Sequence, residues 1–191
     1  LLAASFDQMN QQLQDRSQQL EQLAYCDSLT GLANRNQLLQ TLYQLVDDEE
    51  QQPFSLLYLD LDDFKRINDS YGHPFGDQLL IQISQRLTSL KPEFSMVSRI
   101  GGDEFVLILQ PLTLDNQLHE RAQQVLEAME EPIICDHVPL HISFSIGIAQ
   151  FPQDGLTAFD LLKCADMSLY AAKSAGKSTF RFFDQQMRID L

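Results

Sequence analysis

The sequence predicts an α+β domain with an extra helix in front, and three observations predict it. Segments with helical spacing of apolar residues alternate with short runs rich in β-branched and aromatic residues. The best-marked runs, near 95–100 and 104–110, meet at Gly101-Gly102 and read as an antiparallel hairpin, because glycine accepts a positive φ at little cost. Helices that interrupt an antiparallel sheet belong to the α+β class rather than to doubly wound parallel folds. The third observation is Phe54-Ser55-Leu56-Leu57-Tyr58-Leu59-Asp60, apolar almost throughout, as expected of a central strand covered on both faces.

The elements follow in order. Residues 1–25 are Gln-rich and carry Leu2, Phe6, Met9, Leu13, Leu20 and Leu23 at heptad spacing, with Arg16 in the polar slot. The narrow stripe favours a parallel coiled coil between two chains over a helix lying on its own domain. Residues 26–191 form the globular part. Asn34 caps a helix from Arg35 to about Val46. After the strand at 54–60, a short helix begins near Asp63, and Gly72 and Gly76 punctuate the next loop. Leu79, Leu80, Ile83, Leu87 and Leu90 share one helix face. Beyond the hairpin, a helix is expected from about Leu114 to Glu130. Next comes a second hairpin, with arms Ile133–Cys135 and Leu140–Gln150 turning at Asp136–Pro139. Its second arm alternates and reads as half-buried. Ala158 to Ala175 is a helix, and Phe180–Phe183 the last strand.

Composition removes whole classes of function. Thirteen Lys and Arg against 27 Asp and Glu leave a formal charge of −14, so no basic face offers itself to nucleic acid or anionic lipid. No run reaches the roughly 18 apolar residues of a membrane span. Cys26, Cys135 and Cys164 are odd in number and not spaced as a metal cluster, and fit packing roles in a reducing, cytoplasmic setting. The chain opens on Leu1 rather than Met, so a fragment is expected, with an upstream sensor domain outside it and a full-length protein that membrane anchoring would also suit.

The chemistry-bearing residues are carboxylates. Asp103 and Glu104 follow the two glycines at the hairpin tip, where missing side chains let a bulky ligand approach the backbone. Asp60 ends a buried strand, a costly place for a charge unless it is balanced. If its strand lies beside the hairpin, three carboxylates meet at one sheet edge. Such an oxygen-rich set suits Mg²⁺ or Mn²⁺, two of which recur in phosphoryl transfer. Taken alone, Asp60 and Asp77 also read as helix caps, Lys65 as a solvated lysine, and Lys173 and Lys177 as complements to a helix dipole on one face.

Together these residues carry a family resemblance. Arg99-Ile100-Gly101-Gly102-Asp103-Glu104-Phe105 is similar to the signature of the GGDEF diguanylate cyclases, and Asp27-Ser28-Leu29-Thr30-Gly31-Leu32-Ala33-Asn34-Arg35 to their D-x-L-T-G-L-x-N-R. The segment from Asp60 to Asp69 resembles D-x-D-x-F-K-x-x-N-D, Ser145 to Ala149 resembles S-I-G-I-A, and Asp166 to Lys177 resembles A-D-x-A-L-Y-x-A-K-x-x-G-R. Ser168 and Lys177 depart from the usual Ala and Arg. The resemblance spans about Asp27 to Asp184. It implies a palm-like antiparallel sheet wrapped by helices, as in nucleotidyl cyclases and polymerase palms. It also implies a homodimer that condenses two GTP into cyclic di-GMP, with residues 1–25 as a signalling helix and 26–191 as the catalytic domain.

Residue by residue, the resemblance makes Asp103 and Glu104 catalytic. Asp60, the Leu61 carbonyl, Asp103 and Glu104 become ligands for two metal ions. The amides of Asp63 and Phe64, with Lys65, Lys173 and Lys177, face the phosphates, and Gly101 and Gly102 give access. Asn68 and Asp77 read guanine, whose adjacent N–H donors suit a carboxylate. Many relatives bind their product at an Arg-x-x-Asp five residues before the glycines. Here those positions hold Pro92, Glu93, Phe94 and Ser95, so no product inhibition is expected there.

Overall fold

The computed structural model describes residues 2–90, 94–110 and 115–188, with the side chains of 2–8, 17–18 and 115–116 outside that description. Two helices, α1 (Leu2–Tyr25) and α2 (Arg35–Val46), precede β1 (Phe54–Leu61). Then come α3 (Phe64–Tyr71), α4 (His73–Ser89), β2 (Met96–Gly101), β3 (Glu104–Leu109) and α5 (Asp115–Glu127). The remainder is β4 (Ile133–Cys135), β5 (Val138–Leu140), β6 (Phe144–Phe151), α6 (Ala158–Ser174), β7 (Phe180–Phe182) and a 3₁₀ turn, Gln185–Arg188.

One five-stranded sheet, in the order β2-β3-β1-β6-β7, organises the molecule. β1 lies at its centre, antiparallel to both β3 and β6. Alternation along the strands divides the core in two. Leu57, Leu59, Leu61, Phe105, Leu107, Ile146 and Ile148 pack with residues of α4 and α5, among them Leu79, Ile83, Leu118 and Ala122. Phe54, Leu56, Val106, Ile108, Ala149 and Phe151 pack with Leu38 and Leu42 of α2 and Leu161 and Ala165 of α6. Asp60 and Tyr58 continue this second face to the end of β1.

Four strands follow the expected antiparallel pattern, but β7 runs parallel to β6. α6 carries the chain back to the same end of the sheet, and a crossover helix of this kind joins parallel strands. β6 is buried on both faces rather than half-buried, because α6 covers the side on which Ser145 and Gly147 lie. A Cβ on Gly147 would stand 2.0 Å from the Ala165 carbonyl, so only glycine lets α6 pack this closely. Nor is β6 the second arm of a hairpin with β4. That arm is β5, reached through a tight turn in which Asp136 and His137 both have positive φ.

Gly76 does not punctuate a loop. α4 starts at His73 with Pro74 in its first turn, and Gly76 is inside it, because a Cβ there would overlap Asn68 Oδ1 of α3 at 1.9 Å. Asp77 therefore is not a helix cap. The expected start of α5 at Leu114 lies outside the described residues, and the helix ends at Glu127. Asn34 caps α2 as expected, its side chain accepting from the Gln37 amide. Cys135 and Cys164 are buried packing residues and Cys26 is half-buried. No described helix is long and apolar enough to cross a membrane.

The described part of the α1 stripe, from Met9 onward, faces away from the domain. Met9, Leu13, Leu20 and Leu23 are 51%, 58%, 66% and 74% exposed, which leaves the seam without an intramolecular partner among the described residues.

Candidate active site

The hairpin tip is built by its glycines. Gly101 pairs with Glu104, which leaves Gly102 and Asp103 to make the turn, with φ of +155° at Gly101 and +46° at Gly102. A Cβ on either glycine would meet no atom within 4 Å, so conformation rather than space demands them. The tip is consequently open above its backbone. Arg99 braces it from behind, donating through Nε and Nη2 to the Gly102 carbonyl at 3.0 and 2.7 Å. Its Nη1 reaches both oxygens of Asp27 at 2.8 and 3.0 Å. Asp27 belongs to the turn that follows α1, so one guanidinium joins the end of that helix to the acidic tip.

β1 brings Asp60 to this edge. It stands directly opposite Glu104 in the β1–β3 register, and the Leu61 amide donates to the Asp103 carbonyl at 3.2 Å. Both facing carboxyls hold their protons more tightly than usual. Burial is the main cause for Asp60, reinforced by Asp103 and Asp62 and opposed by Lys173. Burial also leads for Glu104, with Asp60, Asp103 and Asp166 adding to it and the Tyr58 hydroxyl opposing. The three acids adjoin as expected, yet among the described residues no three acidic, His or Cys side chains close into a metal cage. Lys173 Nζ donates to Asp60 Oδ1 at 2.8 Å. An all-oxygen set of this kind fits a hard divalent cation, which would relieve the repulsion between its carboxylates.

The predicted phosphate-facing residues surround the same edge. Asp63 adopts a left-handed conformation, φ +59°, and opens α3 with no side-chain cap over the following amides. Its carboxylate accepts from Lys177 Nζ at 2.9 Å. Lys173 lies in the last turn of α6, but Lys177 is not on that helix face. α6 ends at Ser174, and Lys177 sits in the loop beyond with φ +65°. Lys65 is exposed on α3. Asn68, also on α3, has a buried Oδ1 with no hydrogen-bond partner, and Asp77 is exposed on the neighbouring α4. Ser168, the departure from Ala, causes no harm, since its hydroxyl donates back to the Cys164 and Ala165 carbonyls at 3.0 Å.

Sequence reasoning missed Tyr58 and Asp62. Tyr58 lies two residues before Asp60 on the same face, against Glu104. Asp62 is buried and accepts from two serines of the β6 segment. Its signal was the second of the three acids in Asp60-Leu61-Asp62-Asp63 and the alternating Ser143 and Ser145.

A mixed sheet with helices on both faces and an acidic hairpin tip at its edge defines a palm-type α+β domain. The family profile described as diguanylate cyclase, GGDEF domain, matches residues 24–179, and the chain belongs to this family. It is 38% identical to the cyclic di-GMP phosphodiesterase NbdA of Pseudomonas aeruginosa over 93% of this chain and 23% of that protein. It is 36% identical to the diguanylate cyclase TpbB of the same species, over 88% of this chain and 40% of that one. The chain thus spans well under half the length of these curated relatives. Among solved structures, the GGDEF domain of TpbB superposes with a TM-score of 0.82 at 34% identity, covering 87% of this chain and 98% of that one. The coiled coil and GGDEF domain of DgcB from Caulobacter crescentus, in complex with c-di-GMP, also gives 0.82, at 25% identity over 95% and 96%.

Proposed function

We propose that this chain is a diguanylate cyclase half-site that condenses two GTP into cyclic di-GMP and two pyrophosphates when two copies meet. The observation that carries the reading is the Asp60–Glu104 pair beside Asp103 on an open diglycine tip, with Lys173 and Lys177 within bonding reach of Asp60 and Asp63. Each domain holds one GTP, and the 3′-hydroxyl of one attacks the α-phosphorus of the other. Bound Mg²⁺ or Mn²⁺, held by Asp60, the Leu61 carbonyl, Asp103 and Glu104, supplies charge neutralisation at the phosphates.

The chain's own residues do the rest by positioning. Lys173 and Lys177 exchange their carboxylate partners for the β- and γ-phosphates, assisted by Lys65 and the amides opening α3. Asn68 and Asp77 read guanine. Asp103 orients the attacking hydroxyl. The exposed seam of α1 joins two chains, so that residues 1–25 carry an upstream signal to a cytoplasmic catalytic domain. Product inhibition through the usual Arg-x-x-Asp is absent. Phe94 is buried in the core and Ser95 donates its hydroxyl to the Ile108 carbonyl, while Pro92 and Glu93 lie outside the described residues.

A second reading, a GTP-binding domain that regulates an attached activity without cyclising GTP, is favoured by the phosphodiesterase name of NbdA. Incubation with Mg²⁺ and GTP decides between the two. Cyclic di-GMP and pyrophosphate in a 1:2 ratio support the cyclase, whereas GTP binding without product supports the regulator.

A further inference from the structure

We infer that Asp62 is a positioning residue, one that sets the Lys177 loop against the β1–α3 turn and thereby fixes where the triphosphate end of the nucleotide binds. The inference rests on the reading of Lys177 as a phosphate-binding cation. Asp62 lies between Asp60 and Asp63 but points away from both their tasks. The residue is more than nine-tenths buried, and the hydrogen bonds to its carboxylate all come from donors. Ser145 Oγ donates to Oδ1 at 2.7 Å, and Ser143 Oγ to Oδ2 at 2.6 Å. The third donor is the backbone N–H of Ser178, which reaches Oδ2 at 3.0 Å. The Asp62 amide also donates to the Ser143 carbonyl at 2.9 Å, so backbone and side chain clamp the same segment.

The Ser178 bond is the informative one. Lys177 and Ser178 have φ of +65° and +48°, a left-handed pair that neither residue adopts readily. Something outside the loop has to hold that conformation, and the buried carboxylate is placed to do so. The loop so held presents Lys177 Nζ to Asp63, at the turn whose amides open α3. A carboxylate suits this task better than an amide. Its charge strengthens all three bonds it accepts, whereas an Asn that kept its one oxygen on Ser143 and Ser178 would turn its nitrogen to Ser145 and hold the Ser178 N–H by an uncharged bond only.

Asp62→Asn, which preserves size, is the test, read by equilibrium binding of Mg²⁺·GTP and of GMP. Affinity for GTP is expected to fall about tenfold, as for loss of one charge-assisted hydrogen bond, with GMP affinity unchanged. Combined with Lys177→Ala, it should cost nothing further, because both changes remove one interaction. Equal losses for GTP and GMP, or additive losses in the double variant, would overturn the inference. Should Asp62→Asn fail to fold, amide exchange at Ser178 in the unmodified protein decides. Clear slowing relative to an unstructured amide upholds the anchor, and exchange at the unstructured rate overturns it. Should the unmodified protein bind GTP no better than GMP, the cyclase reading has failed, and the same Ser178 exchange still judges the anchor.

Discussion

At the scale of single residues, the site sets like charges side by side and offsets them only in part. Asp60 and Glu104 face each other on adjoining strands, and Lys173 stands in for the cation that would satisfy them. Replacing Asp103 or Glu104 by Ala should abolish turnover while the domain stays folded, since neither side chain is part of the buried core. Melting curves beside the activity assay check this, and joint loss of fold and activity would contradict it. Asp27 makes a prediction about pH. Burial works against its charge, but the bonds from Thr30 and Arg99 outweigh it and hold its carboxyl below the ordinary 3.8. A depressed carboxyl contributes stability above its unfolded value and loses it as pH falls through the folded one. Asp27→Asn should therefore cost about 1–3 kcal/mol at pH 7, the range for a hydrogen bond to a charged group. The gap to the parent should narrow as pH drops below 3.8, as denaturant unfolding across pH will show. Asp103, Glu104 and Asp60 were legible because acids beside glycines or at a buried strand end are unusual. Asp62 was visible as an acid of the Asp60-x-Asp62 spacing, but its task was not, since its partners lie about eighty residues or more away.

At the scale of elements, the helices and the first hairpin were legible from apolar spacing and caps, as Asn34 and the Leu38–Leu42 face illustrate. What escaped was fixed by contacts between distant segments. Gly76 looks like a loop residue until Asn68 is seen packed against it, and the parallel pairing of β7 depends on the path of α6. The seam of α1 was legible too, and its exposure makes it the element on which dimerisation should depend. Leu13→Ser with Leu20→Ser should shift the chain toward monomer in sedimentation and lower its specific activity at a given concentration, without changing the melting of the globular part. A variant that stays dimeric and fully active would assign pairing to another surface.

At the scale of the whole molecule, the proposed reading requires a chain of net charge −14 to bind a polyphosphate, which local cations and metal ions would make possible. That arrangement leaves base choice to the α3–α4 side. GTP should be preferred strongly over ATP, up to about 10⁴-fold for a site that hydrogen-bonds its substrate, and Asp77→Asn should erode the preference in competition assays. The absence of the Arg-x-x-Asp pair predicts that calorimetric titration with cyclic di-GMP finds no sub-micromolar site dependent on residues 92–95. On the proposed reading each chain supplies half of a reaction centre, and the most direct measurement is the initial rate of cyclic di-GMP formation from GTP and Mg²⁺ as chain concentration is raised. Product formed per chain should climb with concentration and then level off as dimers saturate. No cyclic dinucleotide at any concentration, or a rate per chain that is constant throughout the monomer–dimer range, would contradict the account.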